Sequence, residues 1–285
     1  MSLVEAMSIG ACGAGSVVLM WGIIPAAGRG SRIQPLAFSK ELLPVGTRND
    51  GGTDRPMAVS EYLVERMLLA GVTKICFVIS PGKSDILNYF GGRVGGADIC
   101  YVIQDQPRGL CDALFRALPL ISDDDWICAG LPDTIWFPEN AITALGSDPF
   151  SFLLFPVDHP ELFDAVSMDE TDAVRSIEVK ATKPESHWVW GALKLRGYVL
   201  RELHELWREP ARSDEYLGTL VNAYLARGAR VRGVRIGSAY VDVGTLHGYW
   251  EATRLLEALR LVSSVHLISP GHGGVRGAER FEKGA

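Results

Sequence analysis

Apolar residues recur along this chain with two alternating periods, and each switch between them marks an element. Residues 21–25 (WGIIP) form a short apolar run that reads as a buried strand, and it opens onto the glycine-rich segment 26–32 (AAGRGSR). From 60 to 70 the spacing turns helical, with Leu63, Met67 and Ala70 on one face and Gly71 as the stop. A strand is predicted over 74–80, a helix over 83–90, a strand over 99–104, a helix over 110–118 and a buried strand over 126–129. Strands alternating with helices in this way predict a mostly parallel sheet with helices on both faces, because parallel neighbours need crossover connections. Ligands of such sheets gather at the carboxyl ends of the strands.

The second half changes character. From 152 to 195 it is strand-rich, with period-two alternation in 173–179 and 189–195, which predicts added antiparallel strands. Helices are predicted over 197–208 and 215–227, a strand over 230–236 and a long helix over 246–262. With no internal repeat and no linker, residues 20–264 read as a single domain. Residues 1–19 read as an N-terminal extension or tag, and 265–285 as a loose tail.

Composition narrows the class. Apolar content of 47% and charged content of 22% belong to an ordinary globular protein. A formal charge of −6 without any Lys/Arg block excludes a nucleic-acid surface, which needs clustered cations. Five scattered cysteines with no CxxC pair read as reduced thiols and point to the cytoplasm. Residues 6–28 carry no charge, yet their glycines and Pro25 argue against a membrane span.

The candidate chemistry begins after the first strand. Gly28 and Gly30 allow backbone N–H groups to approach a phosphate chain, and Arg29, Arg32 and Lys40 supply cations nearby. A dinucleotide fingerprint would require a glycine where Ile33 stands. The segment PAAGRGSRIQPLAFSKELLPVG resembles the signature of the sugar-1-phosphate nucleotidyltransferases, such as glucose-1-phosphate thymidylyltransferases and UDP-glucose pyrophosphorylases. The similarity continues through Arg55-Pro-Met57, Gln104, Gly109-Leu-Cys-Asp-Ala113, Leu131-Pro-Asp-Thr134, Lys183-Pro184, Gly191 and Tyr240-Val-Asp-Val-Gly-Thr245.

That resemblance implies an α/β, Rossmann-like sheet with an antiparallel sugar-binding lobe. It also implies Mg2+-dependent transfer of a nucleoside monophosphate from dTTP or UTP to a sugar 1-phosphate. Ala27, Gly28, Gly30 and Ser31 would wrap the nucleotide phosphates, with Arg32 and Lys40 facing the α-phosphate and leaving group. Gln104 and Gly109 would read the base edge. Asp133 and Asp242 would hold Mg2+, Lys183 would grip the sugar phosphate, and Thr182 and Gly191 would line the sugar pocket. Relatives of this kind are often homo-oligomers.

Several positions depart from the family pattern. Ala27 stands where glycine is usual, the interval from Arg32 to Lys40 is shorter by two residues, and Pro132 precedes the metal aspartate in place of glycine. Thr182 replaces a glutamate and Asp112 fills a slot that is often neutral. The alternative that these departures leave open is an inactive nucleotide or NDP-sugar binding homologue with a regulatory role.

Overall fold

In the computed structural model, which describes residues 18–268 except 213, the first apolar run is a strand in the middle of a sheet. In chain order the strands are β1 Met20–Pro25, β2 Pro44–Asp50, β3 Thr53–Ala58, β4 Lys74–Ile79, β5 Arg93–Val94, β6 Ala97–Ile103, β7 Trp126–Gly130, β8 Thr134–Phe137, β9 Phe150–Pro156, β10 Ala165–Met168, β11 Val174–Glu178, β12 Trp188–Arg196, β13 Arg232–Arg235 and β14 Ala239–Asp242. The helices are α1 Val59–Leu69, α2 Ser84–Phe90, α3 Gly109–Arg116, α4 Gly197–Trp207, α5 Leu217–Ala226 and α6 Leu246–Ile268.

Strands β7, β1, β4 and β6 lie side by side and parallel, so their carboxyl ends share one edge. On β1, Trp21 and Ile23 point into one core while Ile24 points into the other. Neighbouring strands keep step: Cys76 and Val78 of β4 share the first face, and Ile75, Phe77 and Ile79 the second. The first core is closed by α3, α4 and α5, the second by α1 and α2. Helix α4 supplies Val199, Leu200, Leu203 and Leu206, each burial worth about 1.5–3 kcal/mol against exposure.

The antiparallel part of the sheet is also present. Strand β12 runs antiparallel to β7, β9 and β10, and β10 pairs with β11 in the same sense. Because β10 and β11 pair at the amino end of β12, they extend the sheet beyond the carboxyl edge of β7. This mixed α/β architecture is the predicted Rossmann-like one.

Two two-stranded sheets were not predicted. Strands β2 and β3 alternate poorly because most of their side chains are exposed, and the readable signal was the turn Asn49-Asp-Gly-Gly52, with both glycines at positive φ. Strands β8 and β14 pair across 101 intervening residues, a contact no local pattern reveals. Together with α6 they enclose a third small core around Tyr62, Ile135 and Val241. Helix α6 continues to Ile268, beyond the predicted end at 262. The charge-free stretch 6–28 ends in buried β1, its residues 6–17 lie outside the described residues, and no described helix is long and apolar enough to cross a membrane. Residues 269–285 of the predicted tail also lie outside them.

Candidate active site

At the carboxyl edge, β1 passes into the glycine-rich segment. Ala26 and Ala27 are buried beneath it, and Gly28, Ser31 and Arg32 are exposed. Gly30 has φ +64°, and a Cβ there would lie 2.6 Å from Cδ of Lys40, so the backbone rests on the Lys40 stem. Only glycine meets both conditions without strain.

Lys40 begins a short 3-10 turn, Lys40–Leu42, which α2 holds from below. Ser39 donates its N–H and hydroxyl to Asp85 at 2.6 and 2.7 Å. Beside it, Lys83 Nζ donates at 2.7 Å to Ala26 O and to both carboxylate oxygens of Glu41. The buried Lys83–Glu41 pair therefore ties the start of the phosphate segment to the Lys40 turn. Sequence reading missed this pair, taking Lys83 only as the start of a helix. Burial raises the pKa of Glu41 despite Lys83, and burial lowers that of Lys83 despite Glu41.

The two predicted metal aspartates come together. Asp133 follows β7 and precedes β8, while Asp242 ends β14, opposite Thr134 in the β8–β14 register. Val243 N–H donates to Asp133 O at 2.8 Å, and Gly244 N–H to Asp242 Oδ1 at 2.8 Å. A Cβ on Gly244 would lie 2.8 Å from Asp242 Oδ1, 2.9 Å from Asp133 Oδ2 and 3.0 Å from Arg32 Nη2, so all three groups converge on one point. Lys40 Nζ donates to Asp133 Oδ2 at 2.5 Å, and Arg32 Nη1 lies 3.0 Å from Asp242 Oδ2.

Burial acts to raise the Asp133 pKa, but the charge and hydrogen bond of Lys40 outweigh it and hold Asp133 below the usual carboxylate range. Burial likewise acts to lower Lys40, and Asp133 outweighs it, leaving Lys40 above its ordinary value. The donor set fits Mg2+, which takes one or two carboxylates and fills its shell with substrate phosphates and water. Among the described residues no cluster of three or more His, Cys, Asp or Glu side chains offers an all-protein cage for another metal.

Gln104 follows β6 at the same edge but is not left in solvent, being only 4% exposed. Its Nε2 donates to Gly109 O at 3.1 Å and to Asp112 Oδ2 at 2.8 Å. Both Nε2 hydrogens are thus used within the protein, which leaves Oε1 as the side chain's remaining hydrogen-bonding atom. Gly109 has φ +85°, and a Cβ there would come within 2.6 Å of Glu215 O, so glycine is required where α3 begins.

A cavity of about 920 Å3 opens beside Arg32 and Asp242, with Phe163, His187, Tyr240 and Arg254 among its lining residues. Gly191 lies under its aromatic wall, where a Cβ would press on Tyr240 and Phe155 at 2.7 and 2.6 Å. Thr182 and Lys183 are exposed on the loop that leads to His187, and among the described residues neither side chain makes a hydrogen bond or ion pair. The lysine on this loop that does engage a partner is Lys180, at φ +50°, with its N–H 3.3 Å and its Nζ 4.0 Å from Asp164 Oδ1.

The family model for the nucleotidyl transferases matches residues 21–258. This chain belongs to the sugar-1-phosphate nucleotidyltransferases of that family. The glucose-1-phosphate thymidylyltransferase of Neisseria meningitidis is 28% identical over 261 residues, covering 87% of this chain and 86% of its own length. That of Mycolicibacterium smegmatis is 25% identical over 263 residues, covering 88% and 87%. Among solved structures, a putative glucose-1-phosphate thymidylyltransferase from Bacillus anthracis in complex with a sucrose superposes with TM-score 0.71 at 25% identity, over 83% of this chain and 95% of the other. A UTP-bound UDP-glucose pyrophosphorylase from Acinetobacter baumannii has the same fold, with TM-score 0.69 at 21% identity, over 88% and 100%.

Proposed function

We propose that this nucleotidyltransferase catalyses Mg2+-dependent transfer of a thymidylyl or uridylyl group from dTTP or UTP to a sugar 1-phosphate, releasing pyrophosphate. The observation that carries the reading is the convergence of Asp133, Asp242, Lys40 and Arg32 at the end of the phosphate segment. A sugar phosphate is already largely dianionic near neutral pH, its second pKa being about 6, so no general base is required. The work is electrostatic: two anions must meet in line, and the charge growing on the α-phosphoryl oxygens must be met by fixed cations.

Each group has a part in this scheme. The backbone of Ala27, Gly28, Gly30 and Ser31 wraps the triphosphate. Arg32 and Lys40 face the α-phosphate and the departing pyrophosphate. Asp133 and Asp242 would hold Mg2+, which would supply positive charge to neutralise the transferring phosphate. The sugar enters the cavity beside Asp242, against Phe163 and Tyr240 above Gly191, and Lys183 and Thr182 reach it from the His187 loop. The four described cysteines are free thiols, in keeping with a cytoplasmic site of action.

The reading is tested by pyrophosphate release from the five common nucleoside triphosphates crossed with a panel of sugar 1-phosphates, with and without a chelator. Release limited to pyrimidine donors and abolished by chelation is expected. Tight nucleotide binding without release from any pair would favour the regulatory homologue instead.

A further inference from the structure

We propose that Asp112 is a specificity-determining positioning residue that fixes the Gln104 amide so that only its carbonyl oxygen meets the incoming base. The proposal rests on the nucleotide reading above and adds a residue which that reading does not use. Nε2 of Gln104 carries two hydrogens, and Gly109 O and Asp112 Oδ2 receive both, at 3.1 and 2.8 Å. Turning the amide over would set Oε1 against a carbonyl oxygen and a carboxylate oxygen, neither of which has a hydrogen to give. Water cannot relieve that clash, because Gln104 is 4% and Asp112 5% exposed.

Arg116, one turn along α3, also donates to Asp112. Its Nη2 donates to Asp112 Oδ1 at 3.2 Å and its Nε to Oδ2 at 3.3 Å. Arg116 and Gln104 both donate to Asp112, so these bonds converge on its carboxylate, and the hydrogen Gln104 gives away polarises its amide toward Oε1. Gln104 Oε1 receives no hydrogen bond from any described residue. A fixed, unpaired acceptor selects a ligand edge with a ring N–H, as at N3 of uracil and thymine. Cytosine brings a lone pair to the same place, and acceptor would face acceptor.

The test compares kcat/KM for UTP and CTP in wild type, Asp112→Asn, Asp112→Ser, Gln104→Ala and the double variant Asp112→Asn/Gln104→Ala, each first shown to be folded by its melting curve. Asp112→Asn lets the amide turn over, so the UTP:CTP ratio is expected to fall about tenfold, and Asp112→Ser to act alike. Gln104→Ala is expected to erase the preference, and adding Asp112→Asn to it to change nothing more. If both Asp112 variants keep the wild-type ratio while Gln104→Ala loses it, Asp112 has no such role and the base reading stands. A wild type that does not favour UTP over CTP overturns both. The wild-type protein gives a second measurement: 3-methyl-UTP, lacking the ring N–H, is expected to lose most of its affinity, and undiminished binding would overturn the proposal.

Discussion

Lys40 Nζ lies 2.5 Å from Asp133 Oδ2 with both side chains largely withdrawn from water, so a predicted phosphate cation and a predicted metal ligand are each other's partner. The pair shifts both groups toward their charged forms in spite of burial, raising Lys40 and lowering Asp133. A lowered carboxylate stabilises the fold above its ordinary pKa of about 3.9, and that stability is lost as pH falls through the lowered value. A raised ammonium stabilises below its ordinary pKa of about 10.4 and loses that only as pH rises through the raised value. The pair therefore supports the fold throughout the neutral range. Thermal melts on the acid side should show Asp133→Asn losing less stability than wild type as pH falls below about 4; parallel curves would remove Asp133 from that linkage.

The metal ligands are testable separately. Asp133→Asn and Asp242→Asn keep size but remove the charge a divalent cation requires. Each should lose most turnover, while nucleotide binding measured in chelator changes little. Near-wild-type turnover at saturating Mg2+ in either variant would exclude that residue from the site.

Arg32→Ala and Lys40→Ala should lower kcat more than they raise KM, because their charge counts most as negative charge builds in transfer. The loss should be a few kcal/mol, about that of an oxyanion-hole donor. Steady-state kinetics with both substrates varied decide this, and a change confined to KM would make the two residues ground-state anchors.

The Lys83–Glu41 pair should show the asymmetry of buried ion pairs. Lys83→Met strands the Glu41 carboxylate, whose side chain is 1% exposed, and should cost about 3 kcal/mol in denaturant unfolding. Adding Glu41→Leu removes the stranded charge and should restore part of that loss. A double variant no better than the single one would mean that the hydrogen bond to Ala26 O, not the charge pair, carries the stability.

The parallel strands were legible because each is short, apolar and bounded by turn residues, and burial on both faces leaves a signal in the composition of β1, β4 and β7. Gly30, Lys40, Asp133 and Asp242 were legible as members of a motif string. That Asp133 meets Lys40 and Asp242 meets Arg32 was not, because each contact joins segments far apart in the chain, and Asp242 is placed by the β8–β14 pairing. Glu41 and Lys83 were missed for a related reason: each looks like a surface charge until the fold buries both together. The bond from Gln104 Nε2 to Asp112 was not legible either, since Asp112 stood out in the sequence only as a departure from the family pattern.

The most direct measurement follows the α-phosphorus itself: the protein is incubated with Mg2+, a sugar 1-phosphate and dTTP or UTP labelled at that atom, and the fate of the label is read. The label should appear in the nucleotide sugar with one pyrophosphate released per transfer, and Asp242→Asn should abolish it. Label in free nucleoside monophosphate, or nucleotide bound with no label moved for any sugar 1-phosphate, would contradict the transfer centre described here.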